Sequence, residues 1–425
     1  MRFISSLMAF SLTVMVTTTF AQERGLADFP KLNRTTDWPW WRGPNRDGTA
    51  TGPAPTRLSD TDHLTWKSPV PGRGHSSPIV VGQQVFLTTA DEATQRHSVL
   101  AFDRTTGQLL WQTPVNQGAF PAKNHAKNTE ATPTVACDGE RLFATFYHHD
   151  MVEAIALDLR GQIVWRQKVA EFHPRKYEYG YAPSPVLYQG TVIVASEHDG
   201  DSYITALDRQ TGRKVWQQKR LPLISFSTPS IGMVAGQDQL LLSGQEFVSS
   251  FNPQSGKPHW VVQGTTFATC GTMVWDGNKV FASGGSPKAE TIAIRADGSG
   301  AVLWRNNQKC YEQSMIVHAG HLFALTDHGV LFCWDGETGE ERWKERLAGP
   351  VSASPVLAGN NIYWANEAGT LWVFQANPQK FQLVDKNQLG DSAFASPAIC
   401  GGQIFLRVAQ GDGAERREWL YCFGP

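Results

Sequence analysis

Short runs of apolar residues alternate with polar turns along almost the whole chain, and the same phrase keeps returning. It opens on Ser/Thr, passes through an alternating apolar run, turns at Gly and runs apolar again, as in SPIVVGQQVFLTT from Ser77 and SPVLYQGTVIVAS from Ser184. Related runs start at Thr132, Thr228, Cys270, Ser314, Ser354 and Ser396, which makes eight copies. Between them lies a second phrase that ends in Trp. AFDRTTGQLLW ends at Trp111, ALDLRGQIVW at Trp165, ALDRQTGRKVW at Trp216 and CWDGETGEERW at Trp343, with weaker copies ending at Trp260 and Trp304. Successive Trp residues stand 39 to 54 positions apart, and a period of roughly 40–50 residues indicates a propeller or a solenoid. The first phrase supplies two strands around a Gly turn. The second supplies a third strand, a turn of the Asp-x-x-Thr-Gly type whose Gly takes positive φ, and a fourth strand. Four strands per unit, repeated around an axis, make an all-β, eight-bladed propeller of four-stranded antiparallel blades.

The eighth copy stops at Leu420-Tyr421-Cys422-Phe423 and has no fourth strand, but HLTWKSPV (His63 to Val70) near the other end has that pattern. This predicts that the strand around Trp66 pairs with the last blade and closes the ring, leaving no open gap. The seventh copy carries Leu383 where Trp is expected. The repeated Trp is read as a packing residue between blades. Cys333 and Cys422 fall in the slot of Ala101, and Cys270 in the slot of Ser77 and Thr132. Such Cys residues act as small buried groups, and mostly free thiols are expected.

Residues 1–21 read as a secretory signal, with Arg2 before a ten-residue apolar stretch that is too short to span a bilayer. Export to the periplasm or beyond is the expectation. Residues 22–61 form an extension carrying Trp38, Trp40 and Trp41, read as a strap on the propeller, with exposed aromatics stacking on a sugar as the alternative, and residues 62–425 form the propeller itself. No later segment is apolar enough to span a membrane. In 425 residues the formal net charge is −1, so there is no basic excess to condense on phosphates, and nucleic acid is an unexpected partner. A monomer is expected.

The Ala-x-Asp-x-x-Thr-Gly-x-x-x-Trp phrase resembles the repeat of pyrroloquinoline-quinone (PQQ)-like eight-bladed propellers. That superfamily includes quinoprotein alcohol dehydrogenases and a propeller lipoprotein of outer-membrane assembly. DWPWWRGPNRDG (Asp37 to Gly48), HAKNTEATPTVACDGERLF (His125 to Phe143) and ASPAICGGQIFLR (Ala395 to Arg407) resemble an exported subfamily without assigned chemistry. The resemblance covers essentially the whole chain after residue 21. It implies the fold more strongly than an activity. The chain lacks the adjacent Cys-Cys pair of the quinoprotein dehydrogenases, a C-x-x-C-H haem motif and a lipidated Cys.

Candidate chemistry sits in the polar loops expected on one face: His125, Lys127 and Glu130, then His148, His149 and Asp150, then Tyr181, Glu197, His198 and Asp199, and finally Glu246, Asp327 and His328. The same residue types also suit plain hairpin turns. Together they could bind a polar ligand, and Glu197, Asp199 and Asp201 could at most offer oxygens to Ca²⁺. No motif of a hydrolase, a P-loop or a dinucleotide fold occurs. The expectation is a non-catalytic scaffold that binds an envelope protein or polysaccharide, with no catalytic residue and no cofactor. The alternatives are an oxidoreductase using PQQ and Ca²⁺ on an alcohol or sugar, and an outer-membrane assembly scaffold.

Overall fold

A computed structural model describes residues 24–425. The expected signal segment lies outside the described residues. Eight sheets surround one axis. Blade 1 comprises Ile79–Val81, Gln84–Asp91, Arg96–Asp103 and Leu109–Gln117, from the axis outward. Blades 2 to 7 repeat this order, beginning at Ala136, Val186, Ser230, Val274, Ile316 and Val356. Blade 8 takes Ala398–Cys400, Gln403–Gln410 and Arg417–Phe423, and its outer strand is Leu64–Val70. Trp66 stands opposite Cys422 and Lys67 opposite Tyr421, so the two distant segments seal the ring as the sequence suggests.

Burial explains why the second and third strands read as continuous apolar runs. Each blade is covered on both faces by its neighbours, so Val85, Phe86 and Leu87 are all buried. The outer strand alternates: Leu110 and Gln112 are exposed, whereas Trp111 is half-buried. In each of six blades the outer-strand Trp faces a small residue across the ladder, for example Ala101↔Trp111, Ala206↔Trp216 and Cys333↔Trp343. The ring then reaches the next blade. Trp111 Nε1 donates to Leu159 O at 3.1 Å, Trp165 Nε1 to Arg209 O at 3.0 Å and Trp343 Nε1 to Asn377 O at 2.9 Å. Trp111 and Trp165 also lie on Gly161 and Gly212 of the neighbouring Asp-x-x-Thr-Gly-type turn.

Three positions lie two residues away from the alignment read in the sequence. In blade 7 the register places Asp385, opposite Val373, in the Trp slot, and Leu383 two positions before it. No Trp is needed there. The third and fourth strands of blade 8 are not consecutive in the chain, so blade 8 has no turn to receive one. In blade 5 the slot of Ser77 belongs to Thr272 and not to Cys270, and in blade 2 to Thr134 and not to Thr132. The paired residues Ile79↔Phe86, Ala136↔Phe143 and Val274↔Phe281 fix this alignment. Pro133 precedes its slot, whereas Pro78 follows it, and that shift misleads a reading keyed on Ser/Thr-Pro. All six Cys residues are free thiols.

The segment before the closing strand runs across the face formed by the first turns of the blades. Trp38 pairs with Val80 through two backbone bonds of 2.7 and 2.9 Å, and Pro39 O accepts from Cys137 N at 2.8 Å. Thr49–Ala50 adds a parallel strand to the axial edge of blade 7. The Arg42 guanidinium is buried and donates to Pro355 O, Met315 O and Asp47 O, each at 2.7 Å, so the strap ties blades 6 and 7 together. Among the described residues no helix is long and apolar enough to cross a membrane.

Candidate functional site

The residue two positions before each inner strand builds a belt around the axis. Ser77 N donates to Thr134 Oγ1 (3.0 Å), Thr134 N to Ser184 Oγ (2.9 Å) and Ser184 N to Thr228 Oγ1 (2.9 Å). On the other side Thr272 N donates to Ser314 Oγ (3.0 Å), Ser314 N to Ser354 Oγ (2.8 Å), Ser354 N to Ser396 Oγ (2.8 Å) and Ser396 N to Ser77 Oγ (3.0 Å). The remaining hydroxyl, Thr272 Oγ1, accepts from Trp41 Nε1 at 2.8 Å. The strap thus sends one indole up the axis and closes the channel from below.

Above this floor is an axial cavity of about 180 Å³ on the face of the blade-connecting loops. Its walls include Trp41, His75, Phe394, Tyr179, Phe226 and Tyr311. The His75 and Phe394 rings stack with centroids 4.2 Å apart and planes 4° apart. Burial, reinforced by Arg407 and Arg73, holds the His75 pKa well below its ordinary value, so this wall is a neutral imidazole. Cys270 also lines the cavity, and burial pushes its thiol up, away from the reactive thiolate.

Charge sits at the mouth. Lys127 Nζ lies 2.7 Å from Glu367 Oε1 and 4.0 Å from Glu312 Oε1. The Ser352 hydroxyl lies between Glu312 Oε2 and, at 2.7 Å, Glu367 Oε1, and its one proton serves one of the two carboxyls at a time. Burial raises the Glu312 pKa against the opposing Ser352 bond and Lys127 charge. Burial alone would lower the Lys127 pKa, but the Glu367 and Glu312 carboxylates outweigh it and hold the ammonium protonated.

A family model described as "Outer membrane protein assembly factor BamB" matches residues 56–117, 95–296 and 288–413. The chain belongs to this PQQ-like propeller family. One curated relative in the PQQ-like family, "Outer membrane protein assembly factor BamB" of Legionella pneumophila (strain Paris), is 21% identical over 164 residues, 33% of this chain. That match spans 42% of the relative, less than half its length. Among solved structures, a europium-containing methanol dehydrogenase has a TM-score of 0.70 at 12% identity, covering 94% of this chain and 100% of that one. BamB from Moraxella catarrhalis has a TM-score of 0.58 at 14% identity, over 84% and 96% of the two chains. A quinohemoprotein alcohol dehydrogenase from Comamonas testosteroni has 0.64 at 14%, over 94% and 82%. These likenesses show the fold.

In this PQQ-like propeller the sequence candidates separate into two groups. His125 and Lys127 line the axial cavity. Asp327 lies beside it, accepting from Tyr311 N at 2.8 Å and pairing with Lys309 at 3.3 Å. The others have partners elsewhere. Asn124 Nδ2 donates to Glu130 at 2.7 Å, and burial pushes that carboxyl up to about 7. His148 is buried against His149, and Asp150 accepts from Tyr147 at 3.0 Å. Tyr181 is buried and donates to Ala195 O at 2.8 Å. Glu197 pairs with Arg220 at 2.6 Å, and His198 packs on Phe172. Asp199 accepts from the backbone N of Arg175 and of Lys176, both at 2.9 Å, and Asp201 pairs with Lys219 at 3.1 Å. The three carboxylates suggested for Ca²⁺ are therefore directed to three different partners. Among the described residues no group of three His, Cys, Asp or Glu could hold a metal ion. Glu246 sits at a hairpin tip with φ of 67°, and the His328 carbonyl accepts from Arg346 at 3.4 Å. Sequence reasoning missed Trp41, His75, Phe394, Glu312 and Ser352 as parts of one site. The eightfold recurrence of a hydroxyl in one slot was the available signal.

Proposed function

We propose that this protein is a non-catalytic binding propeller of the cell envelope, and that its axial cavity receives a small group presented by an envelope protein or polysaccharide. The observation that carries the reading is the closed-bottom cavity with an aromatic wall, a hydroxyl floor and a charged mouth. Such concave sites with few convergent polar groups are the usual places for ligands. The export pattern of residues 1–21 supports the envelope location.

The cofactor of the quinoprotein dehydrogenases fits poorly. PQQ is three fused rings bearing three carboxylates. A cavity of about 150 Å³ holds one benzene ring, so 180 Å³ has room for about one ring with its substituents. The cation at the mouth, Lys127, is already matched by Glu367 and Glu312. A tricarboxylate would meet an excess of negative charge.

Two measurements test the reading. Ala182 lines the cavity, and Ala182→Trp would fill it. Binding of solubilised envelope fractions to the immobilised protein is expected to disappear in this variant while its melting temperature stays near wild type. Binding that survives the filled cavity refutes the site. Added PQQ with Ca²⁺ is expected to give neither a melting shift nor dye-linked alcohol oxidation. A gain approaching ~2.7 kcal/mol at a hundredfold over the dissociation constant would replace this reading with an oxidoreductase. Outer-membrane assembly is the second reading, favoured by the family description. Co-purification of assembly components that is insensitive to Ala182→Trp would support it.

A further inference from the structure

We infer that the axial cavity is a subsite for a single uncharged sugar ring. The inference rests on the binding reading above and names the chemistry of its ligand. It comes from the hydrogen-bond balance of the floor. A Ser or Thr hydroxyl has one proton to donate and two lone pairs. Each of the eight belt hydroxyls already accepts a bond, seven from a neighbouring backbone N and one from Trp41. Among the described residues none of the eight donates one. Six of them line the cavity: Ser77, Thr134, Ser184, Thr228, Thr272 and Ser396. All six are buried, with at most 7% of their surface exposed. The floor is therefore a ring of donors whose protons lack a protein acceptor.

Four ligand classes can be weighed against that floor. An apolar ring would suit Trp41, Phe394 and Phe226 but would leave the hydroxyl protons dry, a cost at each group left unpaired. A cation would suit the aromatic faces, Glu312 and the one lone pair left on each belt hydroxyl, but would leave the hydroxyl protons without an acceptor. An anion would satisfy the floor but would pass Glu312 and Glu367 at the mouth with Lys127 alone to balance them. A polyhydroxylated ring satisfies every part. Its oxygens accept from the belt and from Lys127, its hydroxyls donate to the Glu312 carboxylate, and its C–H faces lie against the aromatic walls. The volume also agrees, since 180 Å³ suits one six-membered ring and its substituents.

The test uses the intact propeller and follows Trp fluorescence and titration calorimetry. The probes are the methyl pyranosides of glucose, galactose, mannose and N-acetylglucosamine. Glucuronate, glucosamine and cyclohexanol serve as the anionic, cationic and apolar counterparts. The expected result is saturable binding of at least one neutral pyranoside, weaker binding of all three counterparts, and a change in emission. Glu312→Gln is expected to weaken it about tenfold, the equivalent of 1.4 kcal/mol, and Phe394→Ala to weaken it further, with the melting temperature of each variant recorded alongside. Preference for a counterpart overturns the sugar assignment while leaving the binding site in place. So does an absence of small-ligand binding when envelope fractions are still captured in an Ala182→Trp-sensitive way. Capture that is insensitive to Ala182→Trp overturns both.

Discussion

At the scale of single residues, the Asp-x-x-Thr-Gly type of turn joins two jobs in one glycine. Gly161 has a φ of 84°, and a Cβ on it would lie 2.8 Å from the Trp111 ring of the preceding blade. Gly107, Gly212, Gly256 and Gly339 meet a Trp in the same way. Gly161→Ala should therefore cost more than ~1 kcal/mol, because strain and overlap add. Denaturant unfolding would show it, and an unchanged midpoint would disprove the packing argument. The Asp that opens such turns also acts by charge. Asp335 Oδ1 accepts from Thr338 N at 2.9 Å, and the Thr338 and Arg342 contacts hold its carboxyl well below the usual range. A folded-state pKa below the unfolded value gives stability that is present above about pH 4 and lost as pH falls through the folded value. Glu130 has the opposite sign. Burial pushes its pKa up to about 7, so folding favours its neutral form and stability falls as pH rises from about 4.5 towards 7. In Glu130→Gln the melting temperature should fall less across that window than in wild type. These residues were poorly legible from sequence. Glu130 was visible as a loop carboxylate, but its burial beside Asn124 depends on how the loop folds back. Thr272 was hidden because the segment Cys270-Gly271-Thr272-Met273 carries no Pro to mark the slot.

At the scale of elements, the eight strand phrases were legible because each blade is sandwiched by its neighbours. Sandwiching demands unbroken apolar inner strands and a half-buried outer one, and that contrast is written into local sequence. The strap was legible only as aromatic chain. Its course depends on pairings such as Trp38 with Val80 and Trp41 with Thr272, partners 231 positions apart in the latter case. Blade 7 gives a sharp test of the rule for the Trp slot. Asp385 faces no neighbouring turn, and the strap covers that side through the Leu58 N bond to Asn387 at 2.8 Å. Asp385→Trp is expected to leave the melting temperature equal to or below wild type. Trp343→Ala, which removes a half-buried ring and its bond to Asn377 O, should cost about 3 kcal/mol. A stabilising Asp385→Trp would show that the slots are equivalent after all.

At the scale of the whole molecule, the strap and the closing strand turn eight similar sheets into one object. Arg42 joins blades 6 and 7 from below, and Leu64–Val70 completes blade 8. Deleting residues 24–58 should unseat Trp41 from the axis and open the cavity floor. The expected readout is a loss of the Trp emission response to ligand together with a lower melting temperature. A variant that kept both would separate the strap from the site. The belt and the cavity are properties of this level alone. Ser77 and Ser396 are separated by 319 positions yet share one bond, so no local reading could have placed them together.

That seal also sets an order in time. Blades 1 to 7 grow from hairpins whose strands follow one another in the chain. Blade 8 must wait for partners such as His63 and Gly424, which are 361 positions apart. Joining such remote segments exacts a loop-closure penalty that local hairpins avoid. During refolding, pulse-labelled amides of Leu64–Val70 should gain protection last. Until then the nearly finished toroid carries two raw edges that can capture each other or a second copy, and this is the interval in which a chaperone would matter most.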